Sequence, residues 1–192
     1  MDEMLFFRKN AILADLCKEY NDKWAACRGD KERLMRLVLM RQSAPFFADY
    51  CYRGRGLTKD YCKREFGEYL NGRTFDGVDG VDGYTSAMYI DPPTGLQIAS
   101  DTAQLLWCDN VDVKIPKTKC PTLYVSNRST VNLTIDGYSS ISVYLFDEST
   151  VNIVDADDTC DVLVYKYSNV ANVEAGKYCL CNIKIFNKTL RL

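Results

Sequence analysis

Apolar and polar residues alternate along the carboxyl-terminal half of the chain. Val111, Val113 and Ile115 are separated by Asp112 and Lys114; Val131, Leu133 and Ile135 by Asn132 and Thr134; Val151 and Ile153 flank Asn152. Alternation with period two marks a strand with one buried face. A second set interleaves with the first: Leu123 and Val125; Ile141, Val143 and Leu145; Cys160, Val162 and Val164; Cys179, Cys181, Ile183 and Ile185. The pattern returns with its residue identities. Ser129-Thr130-Val131-Asn132-Leu133 recurs as Ser149-Thr150-Val151-Asn152-Ile153, with Asp109-Asn110-Val111-Asp112-Val113 upstream and Ser168-Asn169-Val170 downstream. A fixed period of about 20 residues in strand-forming sequence predicts a solenoid whose turns cover one another. The expected architecture over 109–192 is a short β-solenoid of roughly four turns. Val111, Val131, Val151 and Val170 should form one column, and Ile141, Cys160 and Cys179 another. Tyr124 and Tyr144 fall outside the apolar rows and should stack on the outer face, as should Asp112, Asn132 and Asn152.

The amino-terminal pattern has a helical period. Phe6, Leu13, Cys17, Tyr20, Trp24 and Cys27 share one face of a helix over 4–27. Asp30 is suited to cap a second helix through Met40 that buries Leu34, Leu37 and Val38. Ser43 is placed to cap a third helix, and Thr58 a fourth that buries Cys62, Phe66, Tyr69 and Leu70 and stops at Asn71-Gly72. The fold class is therefore α+β: a small helical bundle over 1–73, an Asp/Gly linker with short capping strands over 74–108, and the solenoid over 109–192. Asp76-Gly-Val-Asp79-Gly-Val-Asp82-Gly is the most biased stretch. Three acids at spacing three can gather around a calcium ion, but Asp and Gly more often build turns.

Charge and composition narrow the functions. The net charge is −2, which gives no general attraction to nucleic acid or acidic membranes. No apolar run is long enough to span a bilayer. The first residues lack the basic start of a secretory signal, so a cytoplasmic setting with reduced thiols is expected. Nine cysteines stand beside no histidine at all. No CxxC pair is present, and the cysteines read as small apolar residues. Without histidine, a Ser-His or Cys-His nucleophile is excluded. Asp155, Asp157, Asp158 and Asp161 form an acidic cluster of the kind that can supply paired carboxylates, but a turn rich in Asp is ordinarily solvated. No catalytic residue, no resident metal and no cofactor are assigned, and the chain reads as a non-enzyme.

A binding or structural role follows, in which a rigid repeat surface meets a protein partner. Tyr124, Tyr144, Asn132 and Asn152 are the expected contact residues. The alternative is a nucleic-acid-contacting regulator, which would use a helix-turn-helix-like segment at 43–73 with Arg53, Arg55, Lys59, Lys63 and Arg64 on its surface. The open carboxyl-terminal end of a solenoid invites self-association, so a homo-oligomer joined there is also expected.

Some segments carry a resemblance. Phe7-Arg8-Lys9-Asn10-Ala11 with Trp24, then Gly56-Leu57-Thr58-Lys59-Asp60-Tyr61, then Phe66 with Tyr69-Leu70-Asn71-Gly72-Arg73, then Gly83-Tyr84-Thr85-Ser86 ahead of a β-repeat tail, together resemble a set of small uncharacterised proteins of gut Bacteroidetes and their phages. The resemblance implies a phage or mobile-element setting, in which small two-part proteins serve in particles or bind host factors. It carries over no functional residue.

Overall fold

The computed structural model describes residues 3–13, 16–52 and 58–189. Helices come first: α1 (Glu3–Leu13), α2 (Lys18–Ala26), α3 (Lys31–Leu39), α4 (Ala44–Tyr52), α5 (Lys59–Cys62) and α6 (Glu68–Leu70), with a π-helical turn, Lys63–Gly67, joining the last two. The strands are β1 (Thr74–Asp76), β2 (Thr85–Ile90), β3 (Leu96–Gln97), β4 (Thr102–Leu106), β5 (Val111–Ile115) and β6 (Thr122–Ser126). They continue as β7 (Thr130–Ile135), β8 (Ser140–Leu145), β9 (Thr150–Ala156), β10 (Asp161–Lys166), β11 (Asn172–Cys179) and β12 (Asn182–Asn187).

The even-numbered strands β2 to β12 lie side by side in parallel in the first sheet, and β1 pairs antiparallel with β2 at its edge. The second sheet holds β11-β9-β7-β5-β3, also parallel. Each turn contributes one strand to each sheet, which gives a β-solenoid of about five turns with roughly 20 residues per turn. The coil begins at β2, so the strands expected as separate caps are its first turns, and β1 pairs along the outer edge of the first sheet.

Val111, Val131 and Val151 stack in register as expected. Two columns differ from expectation. Val151 is followed by Val173, while Val170 is exposed; the corner before β11 is longer than the one before β9, so the repeat resumes late. Ile141 is followed by Val162 and Ile183, not by Cys160 and Cys179. An irregularity between Leu133 and Thr134 explains this shift: β9 carries an extra residue, Val154, that turns outward and lengthens the turn. Between the sheets Leu123, Val143, Val164, Val131, Leu133, Val151 and Ile153 are fully buried. Each such side chain contributes about 1.5–3 kcal/mol by leaving water.

A polar ladder fixes one corner of the coil. The backbone N–H of Cys108 donates to Ser129 Oγ, and the N–H of Ser129 donates to Ser149 Oγ, both at 3.0 Å. This is why serine recurs with the aliphatic rows.

The helices do not enclose a core of their own. Trp24, Leu34, Met35, Leu39, Phe47, Phe66 and Leu70 share one cluster with Phe75, Met88, Ile90 and Leu106. The last three face outward from β2 and β4, whose residues are buried on both faces. Short helices bury too little against one another and take a sheet as their second layer. The expected single helix over 4–27 is two helices: Leu13 is 74% exposed and Cys17 has an extended backbone, while Trp24 and Cys27 keep the buried stripe. Asp30 and Thr58 cap α3 and α5 as expected, accepting from the N–H of Arg33 and Tyr61. The Ser43 hydroxyl donates to the carbonyl of Leu37 at 2.6 Å.

Candidate functional site

Outward positions of the first sheet carry an aromatic row. Tyr124 on β6, Tyr144 on β8, Tyr165 on β10 and Phe186 on β12 occupy successive rungs. Ring centroids are 4.9 Å apart from Tyr124 to Tyr144, 4.9 Å from Tyr144 to Tyr165 and 5.3 Å from Tyr165 to Phe186. A parallel in-register sheet places equivalent side chains one strand spacing apart, and that spacing suits ring stacking. Tyr167 joins from the corner, stacked on Phe146 at 5.1 Å and 6.1 Å from Tyr144.

The row divides where the helices stop. Ala44 and Ala48 of α4 cover Tyr124 and Phe146, which are 4% and 1% exposed. Tyr144, Tyr165 and Tyr167 are half-buried, and Phe186 is exposed. Tyr124 is thus corrected from a surface residue to part of the helix–sheet joint. The stretch of first sheet left open belongs to Tyr144, Tyr165, Tyr167 and Phe186. Burial pushes the phenols of Tyr144 and Tyr167 above their ordinary range, so both hydroxyls are neutral donors and acceptors at physiological pH. Tyr165, Tyr167 and Phe186 were absent from the sequence-based set; the recurrence of an aromatic residue at one outward position of successive turns was the available signal.

Asn132 and Asn152 lie on the other sheet, so the four expected contact residues do not share a face. Asn152 Nδ2 donates to Asn132 Oδ1, and Asn132 Nδ2 to Asp112 Oδ1, each at 2.9 Å. Asn132 Nδ2 also reaches Asn110 Oδ1 at 3.2 Å. The next rung is Glu174, an acceptor when ionised. The Oδ1 of Asn152 accordingly has no partner among the described residues.

The basic segment is largely compensated from within. Lys59 and Lys63 both pair with Asp91, the former at 2.9 Å. Arg64 pairs with Glu65 at 3.0 Å and lies over the Tyr61 ring. Burial pushes the Asp91 carboxyl up, but Lys63 and Lys59 outweigh it and hold the group below its ordinary range. Arg53 and Arg55 lie outside the described residues.

The acidic segments have structural partners. Asp76 accepts from the N–H of Gly83. Asp79 accepts from the N–H and the guanidinium of Arg41, at 3.0 and 2.9 Å. Gly77, Gly80 and Gly83 all have positive φ, the left-handed conformation these turns require. Asp82 is exposed. Among the described residues no group of three His, Cys, Asp or Glu side chains is placed to hold a metal. In the other cluster, Asp157 accepts from the backbone and hydroxyl of Thr159, and Asp161 from Asn182 Nδ2 at 3.0 Å.

Cys17, Cys27, Cys108, Cys120, Cys160, Cys179 and Cys181 are unbridged thiols. Cys27, Cys62, Cys108 and Cys160 are buried, and burial pushes the Cys108 thiol up to about 12. Cys179 and Cys181 point the same way, with sulfurs 3.4 Å apart. An apolar cavity of about 50 Å³ lies between helices and first sheet, lined by Trp24, Phe66, Met88, Leu106 and Trp107 among others. Its amide, Gln104, is engaged by the Val38 carbonyl at 3.0 Å. Nothing in that lining converges on a polar ligand. No helix among the described residues is long and apolar enough to cross a membrane.

No family model matches the chain, and the searches of curated proteins and of solved structures found no match.

Proposed function

We propose that this protein is a non-enzymatic binding module that presents the outer face of β8, β10 and β12 to a protein partner. The observation that supports this most is the half-covered aromatic row: α4 closes over Tyr124, and the row then continues in the open through Tyr144, Tyr165 and Phe186. Aromatic side chains held by a rigid sheet lose little entropy on binding and offer large contact area. Lys59, Asp79, Asp91 and Asp157, which phosphate contact or reaction chemistry would call on, are instead engaged in turns and ion pairs. A role in a phage particle or in contact with a host factor, as the amino-terminal motifs imply, accords with such a module.

The test is a triple substitution, Tyr144→Ser with Tyr165→Ser and Tyr167→Ser, in the full chain. Partners captured by the wild type from its native host should be lost, while far-UV circular dichroism stays unchanged. Retention of every partner by the folded variant would remove this face from consideration.

A further inference from the structure

The first turn of the solenoid carries a cleft that lies outside the proposed contact face. It has a volume of about 540 Å³ and runs between the turns that lead into β1 and β2, at Gly72 and Gly83, and the corner that joins β3 to β4. Sites for small molecules have volumes of about 300–1,000 Å³. Gly72, Gly83 and Gly95 put no side chain into it, and a Cβ at any of them would meet no atom within 4 Å. The polar groups of the cleft are unspent. Ser100 is 6% exposed, and its hydroxyl has no hydrogen-bond partner among the described residues. Tyr89 points inward from β2 among the aliphatic rows and is 9% exposed; burial raises its phenol above the ordinary range, so the hydroxyl is neutral, and it too makes no hydrogen bond among the described residues. Buried hydroxyls are ordinarily satisfied. Lys119, on the corner between β5 and β6, is exposed and makes no ion pair among the described residues. Asp101 accepts from the N–H and the hydroxyl of Thr85 through Oδ2, at 2.8 and 2.9 Å, which leaves Oδ1 over. The Thr85 bonds, with Lys119 close by, hold the Asp101 carboxyl below its ordinary range, so it is ionised at neutral pH.

We propose that this cleft binds a small neutral sugar of one or two rings, held by Ser100, Tyr89, Asp101 and Lys119. The charges choose the class of ligand. A phosphate or carboxylate drawn to Lys119 would meet the Asp101 carboxylate, and a cation drawn to Asp101 would meet Lys119; a ligand without net charge escapes both repulsions. A free amino acid would satisfy the two charges, but it has no group left for the hydroxyls of Ser100 and Tyr89 and fills little of the cleft. A sugar hydroxyl both donates and accepts. One ring can therefore accept from Lys119, donate to Asp101 Oδ1 and engage the hydroxyls of Ser100 and Tyr89 together. The Tyr89 ring packs in the core, so recognition runs through hydroxyl groups and not through stacking. None of these residues belongs to β8, β10 or β12, and the inference does not depend on the reading of that face.

Saturation-transfer NMR and titration calorimetry on the full chain test the proposal. The probes are glucose, galactose, mannose, maltose and lactose, with inorganic phosphate, glycine and a capped tetra-alanine peptide as the competing classes. At least one sugar should bind at one site per chain. Tyr89→Phe and Lys119→Ala should each raise its dissociation constant about tenfold, the equivalent of one hydrogen bond. Ala99→Trp places a large ring on the cleft wall and should abolish binding. Ala99 and Lys119 are exposed, so those two variants read the cleft even if Tyr89→Phe disturbs the core. Tyr144→Ser with Tyr165→Ser should leave sugar binding unchanged. The proposal would be overturned if the folded wild type bound no sugar, which would leave the two hydroxyls to ordered water alone. It would equally be overturned if phosphate, glycine or the peptide bound more tightly than every sugar, if sugar binding survived Ala99→Trp, or if it were lost in the folded Tyr144→Ser, Tyr165→Ser variant.

Discussion

Replacing Asp147 by alanine tests whether the corners of the solenoid, and not its aliphatic rows alone, hold the coil. Asp147 is 1% exposed. Its carboxylate accepts from the backbone N–H of Asn127 and of Arg128, and from Ser149 Oγ. Asn127 and Arg128 have φ of 61° and 57°, a left-handed corner that Asn tolerates and Arg rarely adopts. Alanine would leave two backbone donors and one hydroxyl without their acceptor. A buried donor left unsatisfied costs about 1–3 kcal/mol. The Asn127 donor is enclosed and bears the full cost; Arg128 is nearer to water, and the Ser149 hydroxyl can rotate. Alanine also relieves the cost of burying a charge. The net loss should be about 2–3 kcal/mol, which in a chain of this size lowers the unfolding midpoint by about 4–12 °C. Urea and thermal unfolding followed by far-UV circular dichroism would measure it. Asp157 provides an exposed comparison. It accepts from the N–H and hydroxyl of Thr159, two residues on, whereas Asp147 holds two backbone donors of the preceding turn, so Asp157→Ala should cost less than about 0.5 kcal/mol. Equal losses at the two positions would refute the argument.

Three further outcomes follow from particular contacts. Burial raises the Asp147 carboxyl above its ordinary range, outweighing the bonds that lower it. Its stabilisation is therefore present below the unfolded value of about 3.9 and is lost as the pH rises through the folded value; urea midpoints of the wild type should fall relative to Asp147→Asn as the pH is raised above about 4, and parallel profiles would contradict this. A Cβ at Gly176 would stand 2.7 Å from the Val154 carbonyl oxygen and 3.0 Å from that of Ile153, so Gly176→Ala should destabilise by about 1–3 kcal/mol, and an unchanged urea midpoint would show that β11 can shift freely. Lys59 and Lys63 share Asp91, so the wild type should pass through heparin at about 0.15 M salt while Asp91→Ala is retarded; strong retention of the wild type would revive the nucleic-acid reading.

The aliphatic columns were legible because each strand alternates cleanly and the same identities return, as in Val131 and Val151. Their continuation was less so. A bulge at Val154 and a longer corner before β11 move the true partners of Val151 and Ile141 to Val173 and Val162. Neither feature has a local sequence signature stronger than the repeat it interrupts. The placement of the helices was not legible at all. Met88, Ile90 and Leu106 read as ordinary strand residues, and only the packed fold shows that they face outward into α3 and the Phe66 turn. That placement decides the candidate site, since it buries Tyr124 and leaves Tyr144 open. The Asn ladder was visible as a column, yet its lying on the opposite sheet from the tyrosines depends on which strand of each turn joins which sheet.

The two ladders differ in what they leave for a partner. On the second sheet the Asn132 amide and the Asn152 Nδ2 are spent on each other and on Asp112, so a partner would have to break existing hydrogen bonds to use them, and the unpartnered Oδ1 of Asn152 is buried. On the first sheet the rings are spent face to face, because centroid separations near 5 Å leave no room between them. What Tyr144 and Tyr165 offer outward is therefore ring edges and hydroxyls, repeated at the strand spacing of about 4.8 Å. Ring edges carry partial positive charge and hydroxyls bond either way. A matching surface would itself present acceptors or aromatic faces in a row at that interval, as an extended strand or a second stacked sheet does, and a flat sugar ring that needs an open aromatic face would not fit. Replacing Tyr165 by phenylalanine keeps the stack and removes one hydroxyl, whereas Tyr165→Leu removes the ring as well. If affinity falls with leucine and not with phenylalanine, ring edges carry the contact; a fall of about tenfold with phenylalanine, equivalent to one hydrogen bond of about 1.4 kcal/mol, assigns it to the hydroxyl row.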